Sequence, residues 1–405
     1  MINIQGKSLI TTDWHFGLKS NSENRIRILT SVTKSISAYM KNNKIDNFIF
    51  CGDWYHSRSN LAVNVIHISM KCLEAISRNC NHVYLILGNH DIFNKNSVDI
   101  NSVSMFRHIK NLTIVENMTE CDINGKKCLF VPWLGDVTSY EKNTFDMIFG
   151  HFDINPNYLV NAFIEESTQK NMSNEEMKKL LKEDPLLAES GLGDIDEILQ
   201  NNNDTYIHRE KTSDLIGDWI EVVKPGGSIF AGHIHNHREL YAKSRRFIFV
   251  GSPYQQTRGE IRSTDGFYIM NEDGEYDFHE LDNIPKFVDI RMSTILNDIE
   301  GFDYDIVKNN IIHKIYDVEL DRNTEVKINQ KIYDRKPFEE LESDYLVSHD
   351  NYQMSIEAID NIKKSKLEYL YMYINNIDDK ILKEKGITKK ELQDVAKFHY
   401  DKVSE

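Results

Sequence analysis

The 405-residue sequence lacks any long apolar run, and its longest, such as Val83 to Leu87, are of strand length. A membrane-spanning helix needs about 20 such residues in succession, so none is expected. A secretory leader is not expected either, because MINIQGK leads directly into Ser8-Leu-Ile-Thr-Thr-Asp13, which reads as a first strand. The chain is therefore expected to stay in the cytoplasm where it is made. Cysteine is sparse: Cys51, Cys72, Cys80, Cys121 and Cys128 are odd in number, and no two have CxxC spacing. They read as free thiols in a reducing compartment, which sets aside a disulfide framework and a thiolate zinc site. Positive charge is in deficit as well, with a formal net charge of −15. Counterion release requires clustered Lys and Arg, so the chain by itself is not expected to coat nucleic acid. Lys243, Arg245 and Arg246 form a local basic strip. No internal repeat or low-complexity tract is evident.

What is present is an ordinary globular composition, 40% hydrophobic and 27% charged, which excludes a disordered chain. The length suits one large domain with one or two smaller ones. From 7 to about 150, short β-rich runs alternate with helical stretches. Ser8 to Thr12, Asn47 to Cys51, Val83 to Leu87, Lys127 to Val131 and Met147 to Phe149 read as strands. Helical periodicity runs over Asn24 to Asn42 and Leu61 to Asn79. Strands separated by helices imply crossover units of an α/β fold, with the site at the carboxyl ends of the strands. Ser228 to Ala231, Arg246 to Val250 and Gly266 to Met270 read as three further strands.

The polar stretch 160–215 carries a capping-box pattern, Ser173 followed by Glu176, and reads as a helical insertion between core strands. FVDIRM and HKIYDVEL, between about 285 and 335, suggest a small α+β unit. Near the C-terminus Leu367, Leu370, Ile374, Ile377 and Ile381 make one apolar stripe, and Thr388 with Glu391 opens a last short helix. The stripe fits either a hairpin packed on its own domain or a docking element for a partner helix. The division that follows is 1–280 for the main domain with its insertion, 281–340 for the small α+β unit, and 341–405 for the helical tail.

The chemistry-bearing residues sit at strand ends. Asp13 and His15 occur in TTDWHFG, Asp53 and His56 in FCGDWYHSRS, and Asn89, His90 and Asp91 in ILGNHD. His151 follows in FGHF, and His233 and His235 in FAGHIH. An isolated HxH is more often a pair of exposed histidines in a turn. If the strand continued through it, the period of two would point both imidazoles the same way. Its meaning comes from the company: five groups in order, each after an apolar β-run and nearly all beside a glycine. Carboxylate, imidazole and amide oxygen donors without thiolate suit a pair of divalent ions, manganese especially. One carboxylate must then bridge two ions roughly 3.5–4 Å apart, and Asp53 is the natural bridge. Glycines let the backbone turn sharply and pass close to the ions.

DxHxG, GDxxH, GNHD, GH and GHxH, in this order over residues 13 to 235, resemble the calcineurin-like metallophosphoesterases. GNHD, the histidine three places after Asp53, and Val250-Gly-Ser-Pro-Tyr-Gln-Gln-Thr257 are similar to its DNA-repair nuclease branch. That branch holds the SbcD-type exonuclease subunits and the recombination endonuclease subunits of T-even-like bacteriophages. The resemblance implies a sandwich of two β-sheets flanked by helices, a small α+β capping domain and C-terminal helices. It implies one metal held by Asp13, His15, Asp53 and His235, and a second by Asp53, Asn89, His151 and His233. His90 would face the phosphate and protonate the leaving oxygen, with Asp91 orienting and charging it, and His56 would be a second phosphate-side histidine. Many bacterial members have Asp where this chain has His56.

The implied activity is metal-dependent hydrolysis of DNA phosphodiesters, as exonuclease and endonuclease, with two ions that are Mn2+ or Mg2+. The implied partners are DNA, a homodimeric copy, and an SbcC-type coiled-coil ATPase docked on the C-terminal helices, in the host cytoplasm if the origin is a bacteriophage. The helix over 61–79 could offer part of a dimer face, although core packing explains its apolar positions better. Alternatives on the same fold are a small-molecule phosphodiesterase or a phosphatase. Phosphoserine phosphatases usually show GDxxDRG and GNHE, where this chain has GDWYHSRS and GNHD. A scaffold subunit without chemistry is a further alternative.

Overall fold

The computed structural model describes residues 1–94, 96–152, 173, 220–242 and 244–346, together with 388–390, 392, 393, 395 and 397. The expected helical insertion, apart from Ser173, lies outside the described residues, as do Lys243, the apolar stripe from Leu367 to Ile381, and Glu391. In chain order the elements are β1 (Ile2–Ile4), β2 (Ser8–Thr11), a short α1 (Leu18–Asn21), α2 (Glu23–Asn43), β3 (Asn47–Phe50), α3 (Val63–Ser77) and β4 (His82–Ile86). There follow β5 (Ile92–Asn94), β6 (Ser97–Asn101), β7 (Leu112–Val115), β8 (Thr119–Ile123), β9 (Lys126–Val131) and β10 (Phe145–His151). Next come β11 (Val223–Gly232), β12 (Arg238–Ala242), β13 (Arg245–Phe249), β14 (Gly266–Met270), β15 (Tyr276–Glu280) and β16 (Phe287–Arg291). The last are α4 (Met292–Asn297), β17 (Ile311–Tyr316), α5 (Arg322–Asp334), β18 (Glu339–Glu340) and β19 (Asp344–Tyr345).

Two sheets make the sandwich. One has the order β15-β14-β2-β3-β4-β7, the other β1-β8-β9-β10-β11-β13-β12. Within the first, β2, β3, β4 and β7 are parallel neighbours. Within the second, β9, β10, β11 and β13 are parallel. Alternation along the strands sets the layers. Leu9, Phe48, Phe50, Val83 and Leu85 face the core formed with Leu29, Val32, Ile36 and Met40 of α2 and Val65, Leu73 and Ile76 of α3. Their neighbours Ile10, Ile49, Tyr84 and Ile86 face the opposite way, onto Phe130, Phe149, Phe230 and Ile248 of the second sheet. Strands with apolar residues on both faces read as continuous runs, which is why these strands are visible in the sequence.

Helix α3 spends its apolar face in this core, since Val65, Cys72, Leu73 and Ile76 are buried there. Strands β5 to β8, β12 and β15 are not evident from the sequence. Their runs are short, and most are polar, as in Ser97–Asn101 and Thr119–Ile123, so pairing rather than apolar pattern defines them. The third sheet joins β16, β17, β18 and β19, all parallel to β17. It has its own core, with Ile290, Ile295, Ile312, Tyr316, Ile328 and Ile332 packed between it and helices α4 and α5. Asp321 caps α5 by accepting from the backbone N–H groups of Asn323 and Thr324. The five cysteines are all free. Among the described residues no helix is long and apolar enough to cross a membrane.

Candidate metal centre

Five strand ends from both sheets converge on one place: β2, β3 and β4 from the first, β10 and β11 from the second. The loops after β2 and β3 continue the ladder beyond the strands, with Asp13 N donating to Gly52 O, His15 N to Asp53 O and Phe16 N to Trp54 O. Beneath them Trp14 and Trp54 stack at 5.0 Å, both fully buried, and form an apolar floor between the polar residues of each loop. Asp13, His15, Asp53 and His233 all have positive φ, from 49° to 85°. Non-glycine residues hold this left-handed conformation at an energetic penalty and concentrate it at functional sites.

Two glycines are required by close approach. A Cβ on Gly88 would lie 2.1 Å from Asp53 Oδ1, and one on Gly232 would lie 2.3 Å from Thr12 Oγ1. Strand β11 ends at Gly232 and His233 turns out of it at φ 85°, so strand alternation does not aim the HIH pair. The two imidazoles diverge. His235 Nε2 faces His15 Nε2 at 3.1 Å and Asp13 Oδ1 at 3.9 Å. His233 Nδ1 faces the Asn89 amide at 3.2 Å, and the ring packs on Trp133 at 5.3 Å.

The donor atoms of Asp13, His15 and His235 lie within 4.8 Å of one another, and so do those of Asp13, Asp53 and His151. Asp53 Oδ2 stands between the groups, 3.5 Å from His15 Nε2 and 3.4 Å from His151 Nε2. Its other oxygen accepts from the backbone N–H of His90 at 2.8 Å. All seven residues expected as ligands are thus brought together. The donor set fits divalent cations, because two buried carboxylates and facing imidazole nitrogens converge and demand positive charge between them. Titration follows the same demand. Burial works to raise the Asp53 and Asp13 carboxyls, yet the neighbouring histidines outweigh it and hold both below the usual carboxylate range. Burial disfavours a charged His151, but Asp53 prevails and carries it up to about 9.

The Asn89 amide has two useful orientations. With its nitrogen inward it donates to Asp53 Oδ2 and accepts from Arg58 Nη2 at 2.9 Å. A cation requires the oxygen inward, toward His151 Nε2 at 2.9 Å and His233 Nδ1 at 3.2 Å. Nothing in the sequence singles out Arg58, although it stands in the same GDWYHSRS segment.

His90 and His56 flank the centre with stacked rings 5.3 Å apart. Burial lowers both, His56 to about 4, with the facing imidazoles of His15 and His90 adding to the effect at His56. Asp91 departs from its expected role. Its carboxylate makes no hydrogen bond or ion pair with His90; instead Oδ2 accepts from the N–H groups of Asp53 and Gly88, and Oδ1 from those of Trp54 and Tyr55. Burial and the charge of Asp53 push its carboxyl up to about 7 against the pull of those donors. Asp91 shapes the loop that carries Asp53, and His90 is oriented by its Nδ1 at 2.5 Å from the His56 carbonyl oxygen. The basic strip is engaged elsewhere: Arg246 pairs with Glu239 and lies over Tyr276, and Arg245 donates to Val223 O and Asn143.

The segment after β13 ties the site together. Ser252 Oγ and Gln256 Nε2 donate to Asp13 O, and Tyr254 Oη donates to Trp14 O. Gln255 Oε1 accepts from Phe287 N of β16, and Glu260 Oε1 lies 3.3 Å from His235 Nδ1. Glu260 is not visible in the sequence, since no spacing rule separates it from other acidic residues.

Residues 6–237 match the model of the calcineurin-like phosphoesterase family. Over 276 residues the chain is 20% identical to the protein named exonuclease subunit 1 of Enterobacteria phage T4, a match that spans 66% of this chain and 66% of that protein. With more than half of its length inside the family model and the converging donor set described above, this chain belongs to the calcineurin-like metallophosphoesterases.

Proposed function

We propose that this metallophosphoesterase is a two-metal DNA nuclease, cutting phosphodiester bonds as exonuclease and endonuclease, and that it serves as the nuclease subunit of an SbcCD-like repair or recombination complex. The observation that carries the reading is the seven-residue donor set with His90 and His56 beside it, in a chain similar to a phage exonuclease subunit. Asp13, His15, Asp53 and His235 would hold one ion, and Asp53, Asn89, His151 and His233 the other. Two such cations, Mn2+ or Mg2+, would polarise the phosphate and lower the pKa of attacking water.

The chain's own residues do the rest. His90, whose Nδ1–H donates to the His56 carbonyl, has Nε2 free to take a proton as imidazolium and pass it to the leaving oxygen. The buried Trp14 and Trp54 floor keeps the loops from sagging and excludes water from below. Arg58 pairs with no carboxylate among the described residues, and with the Asn89 oxygen turned inward its guanidinium is available to a substrate phosphate. A net charge of −15 and the engagement of Arg245 and Arg246 favour partners that supply more cationic contact to DNA. We assign that part to an SbcC-type coiled-coil ATPase docked on 341–405 and to a second copy of this chain.

The test is digestion of end-labelled linear duplex DNA by wild type and His90→Ala, each with Mn2+, Mg2+ or chelator. Metal-dependent cleavage by wild type, reduced about 10²–10⁴-fold in the variant, is expected. Silence on DNA, alone and with the ATPase, combined with turnover of a phosphodiester dye would assign the site to a small-molecule phosphodiesterase.

A further inference from the structure

His235 lies at the open rim of the centre, as does His233. The His235 side chain is 29% exposed, against 3% or less for Asp13, His15, Asp53 and His151. A metal ligand at a rim holds its aim only if its second nitrogen is held from behind. That second nitrogen, Nδ1, lies 3.3 Å from Glu260 Oε1, and among the described residues no other group takes that place. Glu260 is itself 6% exposed and fixed at both oxygens, since Oε1 also accepts from Thr257 Oγ1 at 3.1 Å and Oε2 accepts from Gln256 N at 2.7 Å. With Nδ1–H donating to the carboxylate, the lone pair on His235 Nε2 is directed to the side where His15 and Asp13 converge.

The turn bearing Glu260 is anchored twice. On one flank Gln256 Nε2 donates to Asp13 O at 2.6 Å. On the other, Arg258 donates to Asp289 at 2.9 Å and to Asp344 at 3.2 Å, both on the third sheet. The carboxylate behind His235 is therefore fixed to the loop of another expected ligand and to the joint with the third sheet.

We propose that Glu260 is a positioning residue of the metal centre. It holds His235 in the tautomer and orientation that a divalent cation requires, and so sets the affinity of the Asp13, His15 and His235 side without touching metal or substrate. The proposal rests on the metal-centre reading and not on DNA being the substrate.

Chelator-stripped full-length protein, titrated with Mn2+ and followed by the electron paramagnetic resonance signal of the free ion, gives the number and affinity of sites. Glu260→Ala is expected to weaken one of two sites about 10–100-fold and to leave the other unchanged. Glu260→Gln, whose side-chain oxygen still accepts from Nδ1–H while its amide N–H then meets Gln256 N–H, should recover part of that loss. In a His235→Ala background Glu260→Ala should add nothing. Unchanged affinities in Glu260→Ala, or an equal further loss in the His235→Ala background, would overturn the proposal and leave Glu260 with a packing role. Should Glu260→Ala fail to fold, Glu260→Gln decides: a few-fold loss confined to one site supports the assignment, and no loss or loss at both sites overturns it. A wild type that binds no Mn2+ would sink the metal-centre reading itself.

Discussion

Two interiors of this chain bury charge, and they treat it oppositely. At the metal centre Asp13, Asp53 and Asp91 are 1% exposed or less, and no oxygen of these carboxylates is left without a partner. Imidazoles face two of them, and four backbone N–H groups face the third. At the joint with the third sheet Arg25 and Asp265 are also buried, but their answering groups are incomplete. Arg25 Nη1, Gln256 Oε1, Ser263 Oγ, Asp265 Oδ1 and Glu339 Oε2 are buried there without a hydrogen-bond partner among the described residues. Arg25 reaches Glu339 only at 3.9 Å. An unanswered buried polar atom costs about 1–3 kcal/mol. The centre has unanswered atoms of its own, His15 Nδ1, Trp54 Nε1 and His56 Nδ1, so the contrast lies in the carboxylates: those of the centre are answered at every oxygen, and that of Asp265 is not.

The largest effect is expected where one residue serves both halves of the centre. Asp53→Ala removes the carboxylate lying between His15 and His151 and the acceptor for the His90 backbone N–H. Metal titration should show both sites weakened at least about 100-fold, with activity lost alongside. His90→Ala should retain both metals if the proposed role of His90 at the phosphate holds; its ring nitrogen lies within 4.8 Å of those of His15 and His56, so loss of a metal in this variant would make it a ligand instead. A variant at Asp53 that keeps one site at wild-type affinity would rule out the bridging arrangement.

Asp91 is the next test, and it separates loop shaping from proton chemistry. Asp91→Asn keeps the volume but turns an amide N–H toward backbone donors at one of the two oxygen positions. Loss of about 2–4 kcal/mol in denaturant unfolding is expected, together with weakened metal binding through the displaced Asp53 loop. An unfolding midpoint equal to that of wild type, with activity alone reduced, would instead make Asp91 a direct partner of His90.

Much of the fold and of the centre is legible in the amino-acid order. Strands such as Phe48-Ile49-Phe50 are apolar on both faces, so their pattern survives without knowing their neighbours. The ligand loops are legible because glycine, carboxylate and imidazole must share a few positions after a strand. The role of Asp91 is not, because sequence adjacency to His90 suggests contact, whereas the chain direction sends the two side chains apart: Asp91 to the interior, His90 toward the rim. Glu260 and Arg58 are invisible for a related reason. Each acts on a residue far along the chain, His235 and Asn89, and no local periodicity encodes such a meeting. Only the pairing of the two sheets creates it.

The smallest effect is expected at the joint, and its sign should be reversed. Asp265 is 2% exposed and its Oδ1 has no partner among the described residues. Burial pushes its carboxyl up to about 7, with Lys286 opposing and Glu260 and Glu280 adding to the rise. In the unfolded chain an aspartate titrates near about 3.9. The folded state thus holds the proton more tightly, so this group's contribution is complete below about pH 4 and is lost as pH rises through about 7. Asn at this position mimics the protonated form at every pH. Asp265→Asn should therefore flatten the decline of stability between about pH 4 and pH 7 and leave the protein more stable at about pH 8. The gain should be on the order of 1–2 kcal/mol, below the full linkage value because the side chain can relax toward water. Denaturant midpoints of both proteins at about pH 5 and pH 8 measure it, and parallel pH dependences would show that the carboxyl is not strained at the joint. Burial raises both carboxyls, and what separates them is the neighbours: Asp to Asn would destabilise at 91, where the amide N–H would meet backbone donors, and stabilise at 265, where no donor among the described residues faces Oδ1.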